Sequence, residues 1–304
     1  MPRLRLKQSA SAIAVITAAA GLSACGSDSD AVSAKAKNLD TIEPGVIKVS
    51  VQPYAPYTSM AGDKIVGLDA DILNRAAKNL GLEVEPVVTD FKGMLGSVQT
   101  RRVDISIGGI AWTADRQKEG LYTDPPYYSP PAMAVASGKT FKTLEDLEGL
   151  DMGTVEGYVW VDSIQEVPGA KLHAYPTAAA LFDDLSAKRI DVAWIDPLLI
   201  LAAQKAGQKL TTQYLTPPTA EQVKENPTYS SFQPYMVGFY LPKKAPKLEK
   251  AISKEIAKMY TDGTMEKLIT KYGGDPGQFL KPSSGFEKER HDVDRPAEWK
   301  APTI

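Results

Sequence analysis

Three short segments carry side chains suited to holding a small charged solute, and each stands directly behind a predicted strand. The first is Pro53, Tyr54, Ala55, Pro56, Tyr57. Two prolines stiffen this loop and hold two phenolic rings in place, which suits an aromatic platform; the same composition equally suits a loop that caps a core. The second runs Gly108, Gly109, Ile110, Ala111, Trp112, Thr113, Ala114, Asp115, Arg116. Glycines at a strand end admit a ligand close to the backbone, and Thr113 is placed to cap the next helix. Free N–H groups and Arg116 are expected to converge there on an anion. A guanidinium offers a two-pronged donor that matches a carboxylate, although an arginine in a first helical turn is also commonly a solvated surface residue. The third is Asp196, between an apolar strand and Pro197. Its carboxylate reads locally as a helix cap; as a ligand residue it would hold an ammonium group.

The elements that must position these groups alternate along the chain. Residues 46–51, 82–88 and 103–107 are β-rich runs, and apolar spacing predicts helices over 68–80 and 91–101. That alternation predicts a parallel, helix-covered sheet. A second series follows, with strands at 133–136, 151–155, 171–174 and 191–195 and helices near 143–147, 159–166, 178–188 and 197–206. It predicts a second α/β lobe. One more strand is expected at 235–241, then helices at 248–260 and 264–272. Pro217, Pro218 and Pro227 mark 216–229 as a surface loop, and residues 281–304 read as an extended tail whose Trp299 is placed to pack back on the body.

The 304 residues correspond to about two folding units at ~150 residues each. With 43% hydrophobic and 24% charged residues the chain is an ordinary globular one, neither disordered nor multi-spanning. Its 35 Lys and Arg against 37 Asp and Glu leave no basic excess for nucleic acid. One cysteine, Cys25, excludes an internal disulfide framework and a multi-cysteine zinc site. No phosphate-binding GxxxxGK[ST] pattern or paired histidine motif occurs, so no cofactor and no metal are expected. Arg3, Arg5 and Lys7 precede an apolar stretch, residues 10–22, which is shorter than the roughly 20 residues a membrane span needs. It ends in Leu22, Ser23, Ala24, Cys25, which resembles the bacterial lipobox. That resemblance implies a signal peptide at 1–24, lipid on Cys25, and a tether over 25–44 that anchors the protein to the membrane without spanning it. Cleavage would leave 32 cations against 37 acids, a mildly acidic mature surface.

Taken in order, several segments resemble the family 3 solute-binding proteins of bacterial ABC importers. They are Tyr54 to Tyr57, Gly67 to Ile72 (Gly, Leu, Asp, Ala, Asp, Ile), Arg102 to Asp104, Thr113 to Arg116, Tyr122 to Tyr127, Arg189 to Asp191, Asp196, and Asp262 to Leu268. The resemblance implies a two-lobed type II periplasmic-binding fold, with lobe 1 over 45–132 plus 237–280, lobe 2 over 133–236, and chain crossings near 132–137 and 236–241. It implies that Arg116 clamps a ligand α-carboxylate, that Asp196 holds the α-ammonium, and that Tyr54 and Phe91 sandwich the side chain. A monomer that delivers an amino acid or related amine to a permease and its ATPase follows from the same resemblance, with no catalysis of its own.

Certain positions depart from the family pattern. Ala111 stands where many relatives place a hydroxyl, and Glu156, Gly157, Tyr158, Val159 replace a compact turn. No acid stands near Val51, where members selecting cationic side chains often carry one. Tyr54, Tyr57, Phe91, Trp112, Tyr158 and Trp194 together suit an aromatic pocket for an apolar ligand or a π-held cation, while Trp112 and Trp194 equally suit core packing. Glu156 reads either as a partner for a ligand cation or as a solvated acid at a helix start. An enzyme on the same fold, a dehydratase or a lyase, would need a positioned acid or base. Glu156 is the candidate, because His173 and His291 adjoin no matched site residue. A sensory binding subunit is the remaining alternative.

Overall fold

The computed structural model describes residues 36, 39–136, 138–282 and 299–304. The expected signal segment, Cys25, most of the tether and part of the tail lie outside the described residues. From Val46 the chain forms β1 (Val46–Val51), a hairpin of β2 (Ser59–Ala61) and β3 (Lys64–Val66), α1 (Leu68–Leu80), β4 (Glu83–Val88), α2 (Phe91–Gln99), β5 (Ile105–Ser106), α3 (Ala114–Glu119) and β6 (Gly120–Tyr122). A two-residue strand, β7 (Tyr128–Ser129), leads into β8 (Ala132–Ala136), β9 (Asp151–Val155), α4 (Trp160–Gln165), β10 (Lys171–Tyr175), α5 (Ala178–Ser186), β11 (Val192–Trp194), α6 (Pro197–Lys205), β12 (Leu210–Tyr214) and α7 (Ala220–Glu225). The return passes through β13 (Tyr235–Met236) to β14 (Tyr240–Pro242), α8 (Pro246–Thr261), α9 (Thr264–Lys271) and α10 (Pro276–Phe279).

These strands make two five-stranded sheets, ordered β4-β1-β5-β14-β6 and β10-β9-β11-β8-β12. In each sheet four strands share one direction and the fourth in order is reversed, β14 in the first and β8 in the second. Each reversed strand is the one that has just arrived from the other lobe. The two passages pair with each other, Tyr235 opposite Ser129 and Met236 opposite Tyr128, so a single antiparallel ribbon joins the lobes. The first passage falls at β7, earlier than the crossing expected at 132–137, because those residues already belong to the second sheet.

Helix α1 forms because Leu68, Ile72, Leu73, Ala76, Ala77 and Leu80 lie on one buried face, and it stops where Gly81 takes a left-handed turn. Helices α8 and α9, from the far end of the folded chain, cover α1, so the first lobe is built from both ends. Among the described residues no helix is long and apolar enough to cross a membrane.

Two expectations are corrected. The strand expected at 235–241 is broken in two, since Gly238 donates to the Ile110 carbonyl at 2.9 Å and Val237 bridges Ala111, tying the interruption to the site loop. A Cβ at 238 would lie 2.1 Å from Trp112 Nε1, so only glycine fits there. The loop expected at 216–229 instead contains α7, whose Thr219 and Gln222 form a reciprocal capping box. Edge strand β12 carried too weak an alternation to be read, with Leu210 its one fully buried residue. The tail does pack back: Trp299 stacks on Trp112 at 5.8 Å and donates to Asp124 at 2.9 Å.

Candidate functional site

Asp196 follows β11 at the start of α6, yet its side chain caps no backbone N–H of that helix. The cap reading is therefore overturned. The carboxylate is only 3% exposed. It accepts hydrogen bonds from Tyr54 across the lobes, from Tyr235 on the joining ribbon, and from Ser129 at 3.5 Å. Burial pushes the carboxyl up to about 6, and the hydroxyl bonds restrain the rise. Burial and the neighbouring carboxylate hold Tyr54 and Tyr235 well above their ordinary phenol range, so both stay donors.

Two N–H groups of the loop expected to meet an anion are already used. Gly108 and Gly109 both donate, at 2.9 Å, to one oxygen of Asp69, whose other oxygen accepts from Tyr127 at 2.8 Å. Asp69 is fully buried, and desolvation raises its carboxyl to about 6 against the pull of these bonds. What this loop presents to the cleft is bare backbone. A Cβ at Gly109 would sit 3.1 Å from Asp196 Oδ2 and 3.4 Å from Tyr54, and its φ of +67° favours glycine independently.

Arg116 is half-buried rather than solvated. Thr113 caps α3 by accepting from the Arg116 backbone N–H at 3.2 Å. The guanidinium donates to the Ala111 carbonyl and, across the lobes, to the Gly157 carbonyl, both at 2.9 Å, and lies 5.2 Å over the Phe91 ring. Tyr158 packs edge-on to Phe91 at 4.8 Å and to Tyr54 at 6.0 Å, while its hydroxyl accepts from Gln52 at 3.0 Å.

Between these groups lies a small cleft. Arg116, Phe91, Gly109 and Ala111 line it from the first lobe, Tyr158, Val159, Trp160 and Asp196 from the second, and Tyr235 from the ribbon. Several expected site residues stand elsewhere. Tyr54, expected to sandwich a ligand with Phe91, is buried and does not line the cleft but holds Asp196, and Tyr57 is buried between Tyr54 and Tyr127, at 5.5 and 5.9 Å. Trp112 is buried beside Tyr122 and Trp299, and Trp194 against Phe232, so both serve the core. Glu156 lies outside the cleft, half-exposed and paired with Lys92 at 2.8 Å. Trp160, Tyr235, Gln52, Ser129 and Asp69 were missed. Trp160 opens the helix after a strand, a position that signals a site, whereas Tyr235 and Ser129 emerge only once the ribbon is placed.

Residues 47–275 match the family model described as bacterial extracellular solute-binding proteins, family 3. The chain belongs to that family. It is 28% identical over 199 residues to the L-cystine-binding protein TcyJ of Escherichia coli K12, covering 64% of this chain and 69% of the relative. The histidine-binding periplasmic protein of Salmonella typhimurium is 27% identical over 186 residues, 59% and 68% of the two chains. Among solved structures, an ancestral arginine-binding protein bound to glutamine superposes with a TM-score of 0.65 at 26% identity, covering 77% of this chain and 100% of that one. An ancestral amino-acid-binding protein described as a precursor of cyclohexadienyl dehydratase, 23% identical at a TM-score of 0.63 over 75% of this chain and 95% of its own, shares the fold. The family is extracytoplasmic, and the named relatives are binding proteins.

Proposed function

We propose that this chain captures an amino acid, or a small amine-bearing relative of one, between its two lobes and delivers it to an ABC permease driven by a separate ATPase. The observation that carries this reading is that Arg116 and Asp196 line one cleft and each already bonds across the lobe boundary, to Gly157 and Tyr54 respectively. A zwitterion presents both charges at once, and an Arg and an Asp from opposite lobes engage both only when the lobes are together. Charge-assisted hydrogen bonds contribute roughly 1.5–3 kcal/mol each, which gives the closed arrangement its differential affinity. The names of the relatives, cystine-binding and histidine-binding, support an amino-acid class of solute. In this reading the protein works as a monomer outside the cytoplasm, held to the membrane through lipid on Cys25.

Native mass spectrometry of the purified protein, followed by calorimetry against amino acids, small amines, opines and betaines, tests the proposal. A carboxylate ligand is expected to bind, with Arg116→Ala weakening it at least tenfold. No binding by any of these solutes, or unchanged binding in the variant, refutes it.

A further inference from the structure

One backbone amide, between Ala111 and Trp112, ties Arg116 to the ribbon. Its carbonyl accepts from the Arg116 guanidinium at 2.9 Å and from the Tyr122 hydroxyl at 2.8 Å. Its N–H donates to the Met236 carbonyl at 3.0 Å. A peptide unit is planar and moves as one piece, so the setting of this amide fixes where the guanidinium is held. The Trp112 ring that follows it is fully buried, against Tyr122 at 5.6 Å and Trp299 at 5.8 Å.

The C-terminal segment grips this amide from two directions. Trp299 stacks on the Trp112 ring with 28° between the planes and is itself fixed by its bond to Asp124. Three residues later the Pro302 carbonyl accepts from the Tyr128 hydroxyl at 2.5 Å. Tyr128 pairs with Met236, the residue that accepts from the Trp112 N–H, so the contacts close into a circuit. Ala301, between the two grips, is buried, and the Ile304 N–H donates to the Leu280 carbonyl at 3.3 Å. Neither Trp299 nor Pro302 lines the cleft.

We infer that the C-terminal segment positions Arg116 for solute capture, with Trp299 as the positioning residue: its stack on Trp112 holds the Ala111–Trp112 amide, and through it the guanidinium, where a carboxylate is met. This rests on the reading that Arg116 engages the carboxylate of the solute. Without the stack the Trp112 ring loses its cover, and the binding geometry becomes one arrangement among several. Apparent affinity falls in proportion to the population that keeps it, so a drop to about a fifth weakens binding about fivefold.

Calorimetry of wild type, Trp299→Ala and Trp299→Phe with the twenty standard amino acids, opines and betaines tests it, with thermal melts to show that each variant folds. Solutes that bind wild type are expected to bind Trp299→Ala about fivefold more weakly or worse. Trp299→Phe keeps a ring on Trp112 and is expected to bind within about twofold of wild type. Ile72→Val, on the buried face of α1 and in none of these contacts, separates positioning from stability: it is expected to lower the melt and leave affinity unchanged. A folded Trp299→Ala variant with wild-type affinity overturns the inference and leaves the solute-binding reading intact. Equal weakening by Ile72→Val, or no restoration by Trp299→Phe, does the same. Should Trp299→Ala not fold, Tyr128→Phe, which deletes only the hydroxyl that holds Pro302, is expected to weaken binding about threefold, and unchanged binding there overturns the inference. Absence of binding to wild type by every solute offered removes the solute-binding reading itself.

Discussion

Replacing Asp196 with asparagine tests the electrostatics of the cleft and the fold together. Burial raises this carboxyl from 3.8 to about 6. At about 1.4 kcal/mol per pH unit, ionised Asp196 is about 3 kcal/mol costlier in the folded chain than in the unfolded one. Between pH 4 and 6 the folded state therefore holds the proton that the unfolded state has released. Stability contributed by this group is greatest below pH 4, is lost as pH rises to about 6, and is flat above that. Urea unfolding of wild type and Asp196→Asn at half-unit steps from pH 4 to 7 reports Asp196 together with the small part of the rise at Asp69 that its charge causes, the remaining carboxylates being common to both. The wild-type stability minus that of the variant is expected to fall by up to about 3 kcal/mol across that window. Ligand binding runs the other way: a cation needs the ionised form, so wild-type affinity is expected to weaken up to tenfold for each pH unit below 6. Parallel stability profiles for the two proteins would refute the claim that Asp196 is a strained, buried anion.

Gly109→Ala forces a side chain into a left-handed backbone at φ +67° and within 3.1 Å of Asp196; a loss of about 1–2 kcal/mol and at least tenfold weaker solute binding are expected, by urea titration and calorimetry. Trp299→Ala removes the stack on Trp112 and the bond to Asp124, and is expected to lower Tm by roughly 2–6 °C; an unchanged melt would show that the tail holds nothing. Lys92→Met breaks the ion pair to Glu156 across the cleft mouth, but both partners are substantially exposed, at 65% and 43%. Stability is expected to change by less than about 0.5 kcal/mol, and small-angle scattering should detect any shift in lobe closure as a salt-dependent difference from wild type.

Much of the scaffold was legible because its signals are local. Helix α1 was read at its observed limits, Leu68–Leu80, from a single apolar face, and Thr113 was read correctly as a cap. Edge elements were not. Strand β12 has one buried face residue to announce it, and the Thr219-Gln222 capping box was hidden among prolines. The aromatic residues divided in a way composition could not foresee. Tyr158 and Phe91 face the cleft, whereas Trp112 and Trp194 fill cores, since a ring beside a glycine loop and a ring in a strand look alike until the layers are stacked.

The sequence by itself determined the two α/β series, the lone Cys25 behind an apolar stretch, and the order of segments that resembles one family, because each depends on neighbours within a few turns of chain. The tertiary structure alone decided what the charged groups do. It turned Asp196 from a helix cap into a buried anion by bringing up Tyr54 from 142 residues away, and it set Gln52 against Tyr158 across 106 residues. It also spent the Gly108 and Gly109 amides on Asp69, some 40 residues earlier in the chain. Desolvation and hydrogen-bond capacity are properties of what surrounds a group in space, and no local periodicity records them.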